Sequence, residues 1–384
     1  MLLIYYNEYK SFEDANKAVE RLRIARTVNT DMCRELEYVE ITISITNQGS
    51  IAIPRAVVTD VLPRYVVPER GEAQFDVTVP PGATITIVYR ARVTAPGAHD
   101  FNELLLAICD ALGYFYNEYK FSIRTTVVAL PLSNSIEMGV ESLQRLTSTA
   151  IMGKATGGSY NIANVREYMD GDDIRRIMWK VYARMGKLMV REDYGEARVR
   201  VLVLIDMRKY LWGIGEEPNT LAHMQLRYAR SLIEYIARSG STLDISICSG
   251  ITPKVVENAN TALVESLYRV FSVLEGGGGC ESPIDAYIHV PGYLGRSVDS
   301  YDAVVLVTNP ITLVLESPKN VRELLKMFGA KLVIIVLLAR SVVELIGEDR
   351  AKQYMESLMK GIEQWGAKVY VPQEIPVVDV RWLR

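Results

Sequence analysis

The spacing of hydrophobic positions changes twice along the chain. Between about 34 and 128 they recur every second residue. Val39, Ile41, Ile43 and Ile45 alternate with polar neighbours, and so do Ile85, Ile87, Tyr89, Ala91 and Val93. Burial of one strand face produces that period. Turn chemistry separates the runs, at Asn47-Gln48-Gly49, Pro80-Pro81-Gly82 and Ala95-Pro96-Gly97. Short strands at this spacing predict an immunoglobulin-like β-sandwich over residues 31–130. Ahead of it, Ser11 is placed to cap a helix carrying Ala15, Val19, Leu22 and Ile24, so residues 1–30 read as an N-terminal helical segment. A helix lying on the sandwich is the simple reading; a membrane-surface or partner-binding helix is the alternative.

From Val199 to the end, strand and helix patterns alternate. Val201 to Ile205 is a continuous apolar run ending in Asp206, and Ala303 to Val307 is another ending in Thr308-Asn309. Leu221, Met224, Tyr228, Leu232 and Tyr235 line one side of a helix that Gly240 closes. Ser317-Pro318 starts a helix that Gly329 stops. The succession predicts an α/β, Rossmann-type domain over 199–384 with a mostly parallel six-stranded sheet. With the strand order 3-2-1-4-5-6, the order reverses between the strand ending at Asp206 and the one ending at Asn309. Those two residues should then be neighbours where ligands of such sheets sit.

Between the two lies a segment, 131–198, made of a Ser/Thr/Gly-rich connector and a charged stretch. Gly153-Lys154 is not a phosphate loop, because Ser148 stands at the upstream glycine and Ala155 at the Mg²⁺-binding hydroxyl. The charged stretch combines acidic residues (Glu167, Asp170, Asp172, Asp173) with a helix expected over Ile174 to Met185. Arg176, Lys180 and Arg184 recur on one face of that helix, beside Trp179. Four readings compete: an ion-pair network welding the two domains, a partner-docking surface, a metal-dependent hydrolase built on the four carboxylates, and a nucleic-acid face built on Arg176, Lys180 and Arg184.

Composition narrows these. A net charge of -3 over 384 residues argues against nucleic acid as the main partner. Cys33, Cys109, Cys248 and Cys280 are scattered, with no C-x-x-C pair, so zinc is not expected; free buried thiols in a reducing compartment are the simplest reading, and a cross-link between two of them, as in a thermophile, is the alternative. His99 sits in a turn and reads as a surface histidine. No apolar run reaches the ~18 residues of a spanning helix, so a cytoplasmic protein is expected, with peripheral membrane association left open. The peptide Tyr-Asn-Glu-Tyr-Lys occurs at both Tyr6 to Lys10 and Tyr116 to Lys120, a similarity that chance explains.

Arg166, Glu167, Tyr168, Gly171, Asp172, Asp173, Arg175, Arg176, Trp179, Lys180 and Arg184 together resemble the signature of the family known as "domain of unknown function 58". Asp110-Ala111-Leu112-Gly113-Tyr114-Phe115 is similar to a D-P-F-G-L-F element of that family. The resemblance implies a β-sandwich followed by a von Willebrand factor A-like domain, and a MoxR-type AAA+ ATPase as partner. Many members carry two membrane helices upstream. Von Willebrand A domains often hold Mg²⁺ at a D-x-S-x-S motif, helped by a Thr and an Asp from later loops. Here the motif reads Asp206, Arg208, Tyr210, the glycine-rich loop from Gly276 to Ser282 has no Thr, and Thr308-Asn309 stands at the later Asp. The resemblance therefore implies a degenerate metal site with no cofactor, and Arg208 is expected to pair with Asp206. The combined expectation is a non-enzymatic scaffold or adaptor.

Overall fold

The computed structural model describes residues 2–110, 114–133, 162–168, 177–193, 199–238, 241–249, 252–274, 279–372 and 377–378. Helix α1 (Leu2–Ala18) opens the chain. Nine strands follow: β1 (Leu22–Val28), β2 (Met32–Arg34), β3 (Tyr38–Asn47), β4 (Ile53–Val61), β5 (Val66–Pro68), β6 (Gln74–Val79), β7 (Thr84–Val93), β8 (Gly97–Cys109) and β9 (Tyr116–Leu130). They form two sheets, ordered β1-β3-β7-β5 and β2-β9-β8-β4-β6. The alternating positions Val39, Ile41, Ile43 and Ile45 of β3 point inward and meet Ala56, Val58, Phe101, Leu104 and Leu106 of the facing sheet in one core. This is the immunoglobulin-like, β-rich region that the period of two predicts.

The N-terminal helical segment is shorter than expected. The helix stops at Ala18, and Leu22 and Ile24 lie on β1, paired antiparallel with β3. The period of two on this strand is masked because its third inward position is Arg26. That guanidinium is buried, bonds Asp60, and donates to the carbonyls of Phe101 at 3.0 Å, Ile123 at 2.8 Å and Glu103 at 2.8 Å. Four partners replace the water that a buried cation gives up.

Strands β10 (Ile162–Glu167) and β11 (Met189–Asp193) make a separate antiparallel ribbon, with helix α2 (Trp179–Met185) between them in sequence. Next come β12 (Arg200–Ile205), α3 (Leu221–Arg238), β13 (Thr242–Ser249), β14 (Thr252–Val256), α4 (Leu263–Phe271), α5 (Pro283–Ile288), α6 (Val290–Tyr293) and β15 (Ala303–Thr308). Helices α7 (Pro310–Leu315) and α8 (Pro318–Phe328), β16 (Leu332–Val336), α9 (Arg340–Ile346), α10 (Glu348–Glu363) and β17 (Lys368–Tyr370) complete the chain. The third sheet has the order β14-β13-β12-β15-β16-β17. It is mixed rather than wholly parallel, because β14 turns back antiparallel on β13 while the other pairings are parallel. The turn between β13 and β14 is too short for a crossover helix, which leaves only the antiparallel arrangement. Val201, Val203 and Ile205 face one core and Leu202 and Leu204 the other, which explains the unbroken apolar run of β12.

The sandwich and this sheet share packing. Tyr65, Ala95 and Leu130 of the sandwich belong to the core formed by β12, α3 and α4. Glu35, next to β2, is buried against Arg227 of α3, whose Nε donates to Oε2 at 2.9 Å and whose Nη2 donates to Oε1. Arg227 also donates to Asn219 Oδ1 at 2.7 Å and to the Pro218 carbonyl, and Arg230 donates to the Pro131 carbonyl. At Gly97 (φ +119°) a Cβ would lie 2.3 Å from the Leu274 carbonyl, so only glycine admits this approach, and the amide of Ala98 donates to the same oxygen at 2.6 Å. Among the described residues the joint runs through α3 and the start of β8; the acidic turn and the start of the charged helix expected to weld the domains lie outside them.

His99 is a second correction, since it is buried at the seam with its Nε2 2.7 Å from the Ala95 carbonyl. The start of β8 packs on the next domain, so its turn is not at the surface. His223 packs edge-on to Trp212 (centroids 5.1 Å apart) and to Tyr65 (6.2 Å). Burial, together with the Arg227 cation, pushes the His223 imidazole down to about 3; burial lowers His99 too.

Two outcomes follow from this seam. Glu35→Ala strands a buried guanidinium and should lower stability in urea unfolding by about 3–5 kcal/mol; no loss would mean that the pair is not what joins the halves. A histidine held neutral in the fold protonates on unfolding, so stability falls as pH drops from the ordinary histidine range toward the folded value, by about 1.4 kcal/mol per pH unit. Burial raises Glu35 and Asp206, which acts in the opposite sense. The informative measurement is therefore the difference between wild type and His223→Gln, whose stability should fall less steeply between pH 6.5 and about 3.

Candidate functional site

The strand order reverses between β12 and β15, and both end on polar residues at the carboxyl edge. Asp206 follows β12, Thr308 ends β15, and Asn309 caps α7 by accepting from the Thr312 amide at 3.0 Å through Oδ1. That bond fixes the amide orientation, so Asn309 turns its Nδ2 toward Asp206 Oδ2 at 3.3 Å. The expected neighbours are neighbours. The Thr308 hydroxyl donates to the same oxygen at 2.8 Å, and Gln225 of α3 donates from Nε2 to the Asp206 carbonyl. The Gln225 Oε1 in turn accepts from Asn309 at 3.0 Å. Asp206 is fully buried, and burial pushes its carboxyl up to about 6, against the lowering pull of the Thr312 and Thr308 hydroxyls and the Arg208 guanidinium.

Arg208 does not pair with Asp206. Its Nη2 donates to Glu316 Oε2 at 2.7 Å, and both side chains are buried. Glu316 also accepts from the Ser282 hydroxyl at 2.6 Å and Asn320 Nδ2 at 3.0 Å. The preference has a physical basis. Asp206 Oδ2 is already served by two neutral donors, whereas a buried Glu316 without a cation would be an uncompensated charge. Tyr210 lies beside the pair, its ring centroid 5.9 Å from the Arg208 guanidinium, and is partly exposed; Lys209 is exposed.

The described end of the glycine-rich stretch, from Gly279 on, reaches this edge. The Cys280 amide donates to the Met207 carbonyl at 2.8 Å, and Cys280 bridges to Arg208 in parallel fashion. At Gly279 a Cβ would fall 2.6 Å from the Lys209 amide nitrogen, inside any tolerable contact. Cys280 is joined by a disulfide to Cys248 near the end of β13. The alternative of one cross-link thus holds for Cys248 and Cys280, and the simple reading of free thiols holds for Cys33 and Cys109. The sequence separation of 32 hides a pair that the sheet brings together.

These residues can be tested against a magnesium ion. Mg²⁺ needs about six oxygen ligands in near-octahedral array. Asp206 Oδ1 makes no hydrogen bond among the described residues and could serve as one of them. Its Oδ2 is taken, Asn309 presents N–H rather than oxygen, and Arg208 brings a positive charge into the same pocket. The donor set does not fit the ion. Among the described residues no group of three or more His, Cys, Asp or Glu side chains is placed to hold a metal.

The charged stretch is only partly described. Asp170, Gly171, Asp172, Asp173, Arg175 and Arg176 lie outside the described residues, and so does the start of the helix expected from Ile174; the helix described is α2. Arg166 and Glu167 are on β10, and the Tyr168 amide donates to the Leu188 carbonyl at 2.9 Å. Glu167 pairs with Lys187 at 2.7 Å across the ribbon. Trp179, Lys180 and Arg184 are exposed on α2. Sequence reasoning missed Gln225, Thr312 and Glu316. A glutamine within the apolar stripe of α3 was a usable signal; nothing local marked Glu316.

Removing the Glu316 carboxylate should be costly. Glu316→Ala leaves Arg208 buried without its partner and should cost about 3–5 kcal/mol in chemical unfolding. Glu316→Gln, which keeps a hydrogen-bond acceptor, should cost less. Equal stability of Glu316→Ala and wild type would mean that the guanidinium is not dependent on this carboxylate.

Residues 164–213 match the model of the family described as "Protein of unknown function DUF58". No curated protein matches the chain. Among solved structures, the CARDB domain of a Pyrococcus furiosus protein, crystallised with di-metal ions, is similar at 13% identity, covering 27% of this chain and 86% of that one with a TM-score of 0.18. A segment of Escherichia coli alpha-2-macroglobulin is similar at 16% identity, over 27% of this chain and 24% of that chain, with a TM-score of 0.20. A sporulation control protein from Bacillus subtilis is similar at 16% identity, over 38% and 58% respectively, with a TM-score of 0.19.

Proposed function

We propose that this chain is a non-enzymatic interaction protein, a scaffold or adaptor that works with a MoxR-type AAA+ ATPase in the assembly or maturation of a partner complex. In this reading the third sheet belongs to a von Willebrand A-like domain whose metal-ion-dependent adhesion site is degenerate. The observation that carries it is the Arg208–Glu316 pair, a buried cation and carboxylate at the edge where such a domain would seat an ion. Asp206, held by Thr308 and Asn309, supports the same view. Asp206 is fully buried, and a carboxyl out of reach of a substrate proton is poorly placed as a base. No described helix is long and apolar enough to cross a membrane. The ATPase assignment carries with it a cytoplasmic location, and in a reducing compartment the burial of Cys248 and Cys280 is what would protect their bridge from thiol exchange.

Two measurements test this. Full-length chain used as bait should retain a purified MoxR-type ATPase, more strongly with ATP than without; failure to retain it in either state removes the ATPase assignment. Thermal unfolding should be unmoved by Mg²⁺, since an ion bound only to the fold stabilises it by mass action. A clear rise in Tm with Mg²⁺ would overturn the ion-free site.

A further inference from the structure

The loop ahead of α3 is where three parts of the chain meet. Glu217 pairs with Arg64 of the sandwich at 3.3 Å, and the Pro218 carbonyl accepts from Arg227 of α3. The third part is the segment that follows β17. Its start is packed, with Tyr370 and Val371 against the cores on either side of the third sheet and Pro372 buried. Val378 then lies at Asn219. The Asn219 Nδ2 donates to the Val378 carbonyl at 2.7 Å, and the Val378 amide donates to Asn219 Oδ1 at 2.8 Å. In the sheet β17 is the edge strand, three places from β12, whereas the loop follows β12. Held at both described ends, the segment reaches from the edge of the sheet to the seam.

Asn219 Oδ1 also accepts from Arg227 Nη1 at 2.7 Å. A flipped amide would set N–H against guanidinium N–H, so the buried cation dictates the orientation of Asn219. So oriented, the amide offers one acceptor and one donor side by side. That pair matches the N–H and C=O of a single extended residue, as in a hydrogen-bonded pair of an antiparallel ladder. The two bonds go to backbone, not to the Val378 side chain. A line of bonds therefore runs from Val378 through Asn219 and Arg227 to Glu35 in the sandwich. We infer that the segment around Val378 is a strap that locks the joint between the sandwich and the third sheet, with Asn219 as its clamp. The coupling is reciprocal. Arg227 orients Asn219 for the segment, and the segment keeps the same amide from turning away from Arg227. This role does not depend on the ATPase assignment.

Hydrogen exchange on the full chain tests the strap, because amide exchange reports local opening. Two amides are read. The Val378 amide reports the clamp, and the Leu132 amide, which donates to Glu35 Oε2 at 3.1 Å, reports the seam. In wild type the Val378 amide should exchange more slowly than in a free peptide of the same sequence. Asn219→Asp keeps an oxygen for Arg227 but sets a second oxygen against the Val378 carbonyl. It should speed the Val378 amide by about fivefold, the worth of one hydrogen bond, and leave Leu132 unchanged. Val378→Pro removes the N–H while leaving Asn219 in place, and should speed Leu132 by about twofold or more. Val377→Ala, which alters an exposed side chain beside the clamp, should change neither amide. Val378 exchanging at the free-peptide rate in wild type overturns the clamp. Leu132 unchanged by Val378→Pro overturns the lock, since the segment then only rests on the loop. A rise that extends equally to the amides of β16 also overturns it, because the substitution then acts on the whole fold; Asn219→Asp still decides the clamp.

Discussion

Charge buried without water has to be answered by another group of the chain, and that requirement shapes both ends of the third sheet. Arg26 in the sandwich, Arg227 at the seam and Arg208 at the carboxyl edge are all almost inaccessible. Each is answered by a carboxylate: Asp60, Glu35 and Glu316. The seam pair matters most for architecture, because its partners lie 192 residues apart and come from different halves. Fixing them fixes how β2 and β9 sit against α3, and so presents the edge at Asp206 in one orientation relative to the sandwich.

Much of this was legible from the spacing of residues. The period of two gave the sandwich strands, and the unbroken run from Val201 to Ile205 gave a strand buried on both faces. The juxtaposition of Asp206 and Asn309 followed from strand order alone. What misled were inward-facing polar residues. Arg26 broke the alternation of β1, so a strand looked like the end of a helix. His99 follows a turn signal but lies on β8, whose start packs on the neighbouring domain, which no local pattern reveals. The partner of Arg208 differs from the expected one because Glu316 is 108 residues away, at the end of a helix that nothing local links to the site. Spacing reports burial along one element, not which elements meet.

The carboxyl edge also illustrates how one charged residue redirects its neighbours. Asp206 receives N–H and O–H groups from Thr308, Asn309 and Gln225, and those amides in turn orient one another. Such a chain of donors is self-consistent only with Asn309 in one flip state. The arrangement holds a carboxyl by neutral dipoles, while the full positive charge nearby is spent on Glu316.

The Arg208–Glu316 pair carries an evolutionary consequence. Neither residue can be lost first without stranding the other in the interior, and a domain has only some 5–15 kcal/mol of stability in total. A lineage that acquires such a pair has in effect passed through a ratchet. Neutral drift can alter the rim around it, at Lys209 or Tyr210, far more readily than it can replace the pair itself.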